Sequence, residues 1–222
     1  MSGGSQMDGP LADAAAHGGV LIVDFGTQYC QLIARRIREL GVYSRITVPD
    51  RFGLSYGSQK PQAVILSGGP ASAYDDHAPK LPEDAFDVLE RDGAAVLGIC
   101  YGLQHMTQRL GGTVSAASCT GGEYGRTEIQ VSDAAGLFAG VPETSTVWMS
   151  HGDKGTEPAP GFEVLASSGP CPVAAAADPK RRFYGLQFHP EVTHSEYGTQ
   201  VLQNFVVEIA GCSTDWRPQS II

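Results

Sequence analysis

Between Gly93 and Gly112 a short apolar run passes straight into a helical pattern, with only Gly98-Ile99-Cys100-Tyr101-Gly102 at the junction. Gly93-Ala94-Ala95-Val96-Leu97 reads as a buried strand, and Leu103, Met106, Thr107 and Leu110 carry helical spacing that stops at Gly111-Gly112. A strand that turns this sharply into a helix belongs to a parallel sheet covered by helices. Cys100 then occupies the apex of the turn, at a helix N-terminus, an environment suited to a sulfur nucleophile. The flanking glycines are expected to permit the tight, sterically poor backbone of such a turn, as in the G-x-S-x-G elbow of hydrolases. A buried core cysteine beside two packing glycines explains the same five residues just as well.

The rest of the chain repeats the unit. Gly19 to Asp24 is a strand candidate, and Gln31, Leu32, Ala34, Ile37 and Leu40 form a helical face that ends at Gly41. Val42 to Val48 and Ala63 to Leu66 read as further strands, the second running into Ser67-Gly68-Gly69-Pro70, and Ala85 to Arg91 reads as a helix. Beyond Gly112 come short strand-like runs at Arg126 to Val131, Val147 to Met149, Phe162 to Ala166, Pro172 to Ala177 and Phe183 to Phe188. A final helix is expected over Tyr197 to Ile209. The fold class expected is α/β, three layers with a mostly parallel central sheet, helices on both faces and an antiparallel extension.

Composition narrows the functional classes. With 24 acidic against 15 basic residues and a net charge of −9, the chain has no basic patch for nucleic acid. No apolar stretch approaches a membrane span, and residues 1–18 read as a disordered leader, so a cytoplasmic protein is expected. The five cysteines, Cys30, Cys100, Cys119, Cys171 and Cys212, are scattered without C-x-x-C spacing, which suggests free thiols and no zinc site. Residues 116–125, rich in Ser, Thr and Gly, are expected to form a flexible loop that exposes Cys119.

A second string completes a possible chemistry. Gly185-Leu186-Gln187-Phe188-His189-Pro190-Glu191 ends a strand in a histidine and a carboxylate two residues apart. Pro190 keeps His189 extended, and residues i and i+2 of an extended chain point the same way, so Glu191 can orient the imidazole. With Cys100 this makes a thiol, a base and an orienting carboxylate, although an isolated H-P-E is also a common surface turn. The N–H of Tyr101 and a Gly69 whose backbone can approach a substrate closely are candidate oxyanion donors; Ser67 to Pro70 taken alone is equally a plain tight turn.

The strings G-I-C-Y-G-L-Q, S-G-G-P and F-H-P-E-V together resemble the class I, triad-type glutamine amidotransferases over about Val20 to Ile209. The resemblance implies a flavodoxin-like core and hydrolysis of L-glutamine to glutamate and ammonia through a γ-glutamyl thioester. It implies Cys100 as nucleophile, His189 as general acid and base, Glu191 as its partner, Gly69 and Tyr101 at the oxyanion, and Gln104 on the substrate. Val23 to Tyr29, Ser67 to Ser72, Trp148 to Asp153 and Pro190 to His194 further resemble the GMP synthase branch of that family, in which ammonia passes to ATP-activated xanthosine monophosphate. In that resemblance Ser150, His151, Gly152 and Asp153 back the glutamine pocket, with the Asp153 side toward a synthetase domain and His151 in a positional or interface role.

No cofactor or metal is expected in this domain. Ser67-Gly68-Gly69-Pro70-Ala71-Ser72 echoes the phosphate loop of ATP pyrophosphatases, yet Pro70 lacks an N–H and no acidic residue follows to hold magnesium. ATP and Mg²⁺ are therefore expected only in an absent synthetase (ATP pyrophosphatase) domain, joined in cis or as a separate subunit. Residues 19–210 are read as the amidotransferase domain, and 211–222 resemble the linker toward that partner. Three other readings stay open on the residues alone: an amidotransferase subunit for another acceptor, a stand-alone γ-glutamyl cysteine hydrolase, and a non-catalytic glutamine-binding module.

Overall fold

The computed structural model describes residues 18–116, 119 and 121–217. Apart from Gly18, the leader expected at 1–18 lies outside the described residues, as do 117, 118 and 120 of the expected loop and 218–222 of the tail.

Alternation within the strands builds the sheet. Along β1 (Val20–Val23), Val20 and Ile22 enter one apolar cluster while Leu21 and Val23 enter another. β3 (Ala63–Leu66) and β4 (Ala95–Ile99) divide their side chains in the same way. Strands apolar on both faces must be covered on both, which is why the near-continuous hydrophobic runs signal a buried parallel sheet. One face is covered by α1 (Cys30–Glu39), through Ile33, Ala34 and Ile37, and by the C-terminal helix, through Val201, Leu202, Phe205 and Val206. The other face is covered by α2 (Phe52–Gln59), α3 (Ala85–Asp92) and α4 (Tyr101–Arg109). The C-terminal helix runs as α5 (Gly198–Gln203) and continues as a π-helical turn, Asn204–Ile209, that ends at Gly211 with φ +72°.

The remaining strands are β2 (Ser44–Thr47), β5 (Thr113–Ser115), β6 (Glu123–Val131), β7 (Thr144–His151), β8 (Lys154–Glu157), β9 (Glu163–Ser167), β10 (Ala175–Asp178) and β11 (Phe183–Leu186). The main sheet has the order β2-β1-β3-β4-β11-β10-β9-β6-β7. Its first five strands are parallel and every pairing from β11 to β7 is antiparallel, so the three-layer α/β expectation with an antiparallel extension holds. β5 and β8 form a separate antiparallel pair.

Several boundaries differ from expectation. β6 begins at Glu123, inside the segment expected to be a flexible loop, because its pairing with β7 extends to Glu123↔His151. Helix α2 and the β5–β8 pair have no counterpart among the elements expected from sequence. α2 is rich in Gly and Ser and is held by Phe52 and Tyr56, one turn apart, whose rings stack at 5.5 Å. Residues 211–217 fold back onto the domain: the Trp216 N–H donates to the Gly41 carbonyl at 2.9 Å, and Cys212 is buried.

What positions the site is the neighbouring of β4 and β11. They are parallel, with Ile99 opposite Leu186, so the residues that follow each strand emerge side by side at the same edge. The Cys100 N–H donates to the Leu186 carbonyl at 2.7 Å. β3 lies on the other side of β4, with Leu66 opposite Gly98, and delivers Ser67 to Pro70 to the same edge.

Candidate active site

Cys100 caps the N-terminus of α4 with φ +51° and ψ −106°, a left-handed conformation that a side chain rarely tolerates. The flanking glycines have another purpose than the one expected. Neither has a positive φ; each is needed because the backbone is packed too closely for a side chain. A Cβ on Gly98 would lie 2.6 Å from the Leu103 nitrogen, and one on Gly102 would lie 2.2 Å from the Leu66 carbonyl oxygen. The strain is carried by the cysteine itself, which turns its Sγ to within 3.6 Å of the Ser150 carbonyl.

His189 and Glu191 follow β11 in the expected arrangement. Nδ1 of His189 lies 2.8 Å from Glu191 Oε1, and both residues are buried, Glu191 at 1% exposure. The ring's other edge faces the thiol: a Cβ placed on Gly68 would meet His189 Cε1 at 3.0 Å and the Cys100 Cβ at 3.6 Å. Burial by itself depresses the imidazole, but hydrogen bonds to Cys100 and Glu191, with their charge, outweigh it and raise its pKa to about 10. The ring is thus held protonated at neutral pH. The ring packs edge-on against Tyr29 at 5.4 Å, and the main-chain N–H of His189 donates to the Trp148 carbonyl at 3.0 Å. Ser195 clamps the same place, donating its hydroxyl to the His189 carbonyl at 2.6 Å and accepting from the Trp148 N–H at 3.0 Å. These bonds bring the end of β7, remote in strand order, over the ends of β4 and β11.

Around Cys100 and His189 opens a cavity of about 400 Å³. Gly69, Gln104, Ser150, His151, Gly152 and Asp153 line it. Gly69 is pressed against the turn after β1, where a Cβ would fall 2.7 Å from the Phe25 carbonyl oxygen. Ser67 ties the two loops together, accepting from the Phe25 N–H at 3.0 Å and donating to the Gly68 carbonyl at 2.8 Å. The Tyr101 side chain turns away into the core, its hydroxyl donating to the Pro79 carbonyl at 2.7 Å, so Tyr101 offers the site only its backbone. As the first residue of α4, its N–H has no partner within the helix.

Gln104 and Asp153 face inward. Gln104 donates Nε2–H to the Asp153 carbonyl at 2.6 Å, and the Asp153 carboxylate accepts from the Ser72 hydroxyl and, at 3.0 Å, from the Ala73 N–H. This corrects the expectation that the Asp153 side faces a partner domain: its carboxylate is buried and pins the loop that follows Gly69. His151 is buried as well, its Nδ1 3.0 Å from the Asp153 carbonyl and its Nε2 3.1 Å from Glu123, which gives it a positional place and no outward face. Burial pushes its pKa down, against the opposing pull of Glu123.

The cavity also takes in Thr27, Gln28, Tyr29, Ser72 and Tyr124, none of them expected as site residues. The first four fall within strings that mark the branch resemblance, and since β1 ends at the same sheet edge as β4, its following turn had to arrive there. Tyr124 lies within the segment expected to be a loop.

Chemically, the arrangement joins a cysteine sulfur, an imidazole and a buried carboxylate at the wall of a polar cavity floored by a helix N-terminus. Residues 21–209 match the glutamine amidotransferase class-I family. The chain is 44% identical over 212 residues to a glutamine-hydrolysing GMP synthase of Enterococcus faecalis and 50% identical over 212 residues to that of Nitrobacter hamburgensis. Those alignments cover 96% and 94% of this chain but only 40% and 38% of the relatives, so the chain spans about two fifths of their length. Among solved structures, a Thermoplasma acidophilum protein assigned as part of a GMP synthase superposes with a TM-score of 0.74 at 30% identity, covering 86% of this chain and 93% of that one. A profile match over nearly all of the sheet and helices, together with that level of identity, establishes that this chain belongs to the class-I glutamine amidotransferase family.

Proposed function

We propose that the chain is the glutaminase module of a GMP synthase, hydrolysing L-glutamine and passing the ammonia to a synthetase partner. The observation that carries the catalytic part is the pairing of a strained Cys100 at a helix N-terminus with a buried His189 that Glu191 holds at 2.8 Å. The acceptor rests on relatives 44–50% identical that are glutamine-hydrolysing GMP synthases and more than twice as long as this chain.

In this reading the Cys100 sulfur, its proton carried by His189, attacks the side-chain amide carbon of glutamine, and the carbonyl oxygen becomes an oxyanion held by the N–H groups of Gly69 and Tyr101. Collapse breaks the C–N bond. The proton on His189 goes to the departing nitrogen, which leaves as ammonia and a γ-glutamyl thioester. Water then attacks the thioester and gives a proton to His189; the C–S bond breaks, and glutamate leaves with Cys100 regenerated. A ring held protonated before substrate arrives suits the first of these proton transfers. Gln104, with the Ser150 to Asp153 segment, shapes the wall against the amino-acid end of the substrate. ATP and Mg²⁺ act in the synthetase partner, where ammonia converts xanthosine monophosphate to GMP.

The test is Cys100→Ala in the complete enzyme. Glutamine-dependent synthesis is expected to disappear while synthesis from free ammonia continues at its normal rate. Loss of both would overturn the assignment of Cys100 as nucleophile.

A further inference from the structure

Behind the cavity wall lies a second cluster of a thiol, an imidazole and a carboxylate, built differently from the first. β6 begins at Glu123 and β7 ends at His151, and the two are register partners; Cys171 lies in the loop before β10. One ligand atom from each of the three lies within 4.8 Å of the other two, and among the described residues this is the group of metal-ligating side chains that converges in this way. All are shielded, Cys171 completely. In Cys100–His189–Glu191 the imidazole stands between thiol and carboxylate, each addressing its own ring nitrogen, as a proton relay requires. In Glu123–His151–Cys171 the three groups face a common centre.

Hydrogen bonding makes the difference chemical. His151 Nδ1 lies 3.0 Å from the Asp153 carbonyl, which can only accept, so Nδ1 carries a hydrogen. In the neutral ring Nε2 then presents a lone pair to Glu123 Oε2 at 3.1 Å. Two buried acceptors this close need a cation between them, either a proton or a metal ion. The surroundings are those of a metal site. A ligating histidine usually donates its other N–H to a main-chain carbonyl and a ligating carboxylate is itself hydrogen-bonded, here by the Ser168 hydroxyl to Glu123 Oε1 at 3.1 Å.

We propose that Glu123, His151 and Cys171 form a binding site for one thiophilic divalent cation of the zinc type. Sulfur, imidazole and carboxylate donors select such an ion over magnesium or calcium, and one thiolate with one carboxylate balances its charge. On binding, the thiol proton and the proton shared by His151 and Glu123 pass to solvent. The bound ion would brace His151 and Asp153, which form part of the cavity wall. None of the three residues takes part in the relay, although His151 lines the same cavity, and metal binding is read without glutamine turnover.

Cobalt(II) is the probe, because a cobalt–thiolate bond absorbs in the near ultraviolet. The titration uses the whole chain carrying Cys100→Ser and Cys119→Ser, which removes the cavity thiol and the exposed one. One saturable equivalent with a charge-transfer band is expected, displaced by zinc. The band is expected to vanish in Cys171→Ala and binding to weaken at least tenfold in Glu123→Gln, on the order of one lost ligand interaction. Both variants are checked by circular dichroism, and His151→Gln replaces either one that fails to fold, with the same loss expected. Absence of a saturable band in the parent, its survival in Cys171→Ala, or unchanged affinity in Glu123→Gln would overturn the site.

Discussion

Cys100, with its φ of +51°, stands at the apex of a strand-to-helix turn whose strain is borne by the cysteine, while its glycine neighbours serve the packing around it. Backbone in such a region costs about 1–3 kcal/mol and persists only where the surroundings impose it. Glu191 is the second residue on which the site turns. It is buried, its Oε1 lies 2.8 Å from His189 Nδ1, and among the described residues its Oε2 has no hydrogen-bond partner. Glu191→Gln keeps the shape but removes the charge that orients and protonates the ring, and glutamine hydrolysis is expected to fall about 10³- to 10⁴-fold in kcat, measured by glutamate release. The same ring sets a pH dependence. His189 has its pKa raised in the folded protein from the ordinary 6.5 to about 10, so its protonated form stabilises the fold fully below about pH 6.5 and loses that contribution as pH rises toward about 10. Urea unfolding of the native chain and of His189→Gln across that window is expected to show their stability difference shift against the native chain as pH rises; a difference that stays constant would refute the coupling.

At the scale of elements, the elbow depends on how closely α4 can lie against β3 and β4. Alanine at Gly102 would gain about 1 kcal/mol of helix propensity, yet its Cβ would sit 2.2 Å from the Leu66 carbonyl oxygen, a backbone atom that cannot move aside. The clash dominates, and Gly102→Ala is expected to lose about 3 kcal/mol or more by denaturant midpoint. The Ser195 hydroxyl bridges β7 and the segment after β11, beside the main-chain bond from the His189 N–H to the Trp148 carbonyl. Ser195→Ala leaves the Trp148 N–H and the His189 carbonyl without that partner in a buried place, which is expected to cost about 1–3 kcal/mol and to lower kcat as His189 loosens. Elements of this kind varied in how well they could be read from sequence. Strands β1, β3 and β4 declare themselves through runs of Val, Ile and Leu because both their faces are buried. Helix α2 does not, since Phe-Gly-Leu-Ser-Tyr-Gly-Ser-Gln has poor helix propensity and is held by tertiary contacts of Phe52 and Tyr56. β5 and β8 are short and mostly polar, and only their mutual pairing defines them.

For the whole molecule, the chain spans about two fifths of the length of the relatives it matches. Ammonia released without an acceptor is wasted glutamine, so glutamine turnover by the chain alone is expected to be slow and to rise on the order of tenfold or more when a synthetase partner is joined and supplied with nucleotide. Equal turnover in both states, by coupled glutamate assay, would rule that control out. The sequence by itself determined the layered α/β class, the turn that presents Cys100, the pairing of His189 with Glu191, and the strings shared with the family, because each depends on residues close together along the chain. Only the tertiary structure decided that β4 and β11 are neighbours, which is what brings Cys100 to His189 across 89 positions. It likewise turned Asp153 inward onto Ser72 and Ala73, drew the β1 turn into the cavity, and gathered Glu123, His151 and Cys171 from separate strands and a loop. Strand order and cross-strand register are long-range choices made by packing of the whole core, and no local pattern along the chain encodes them.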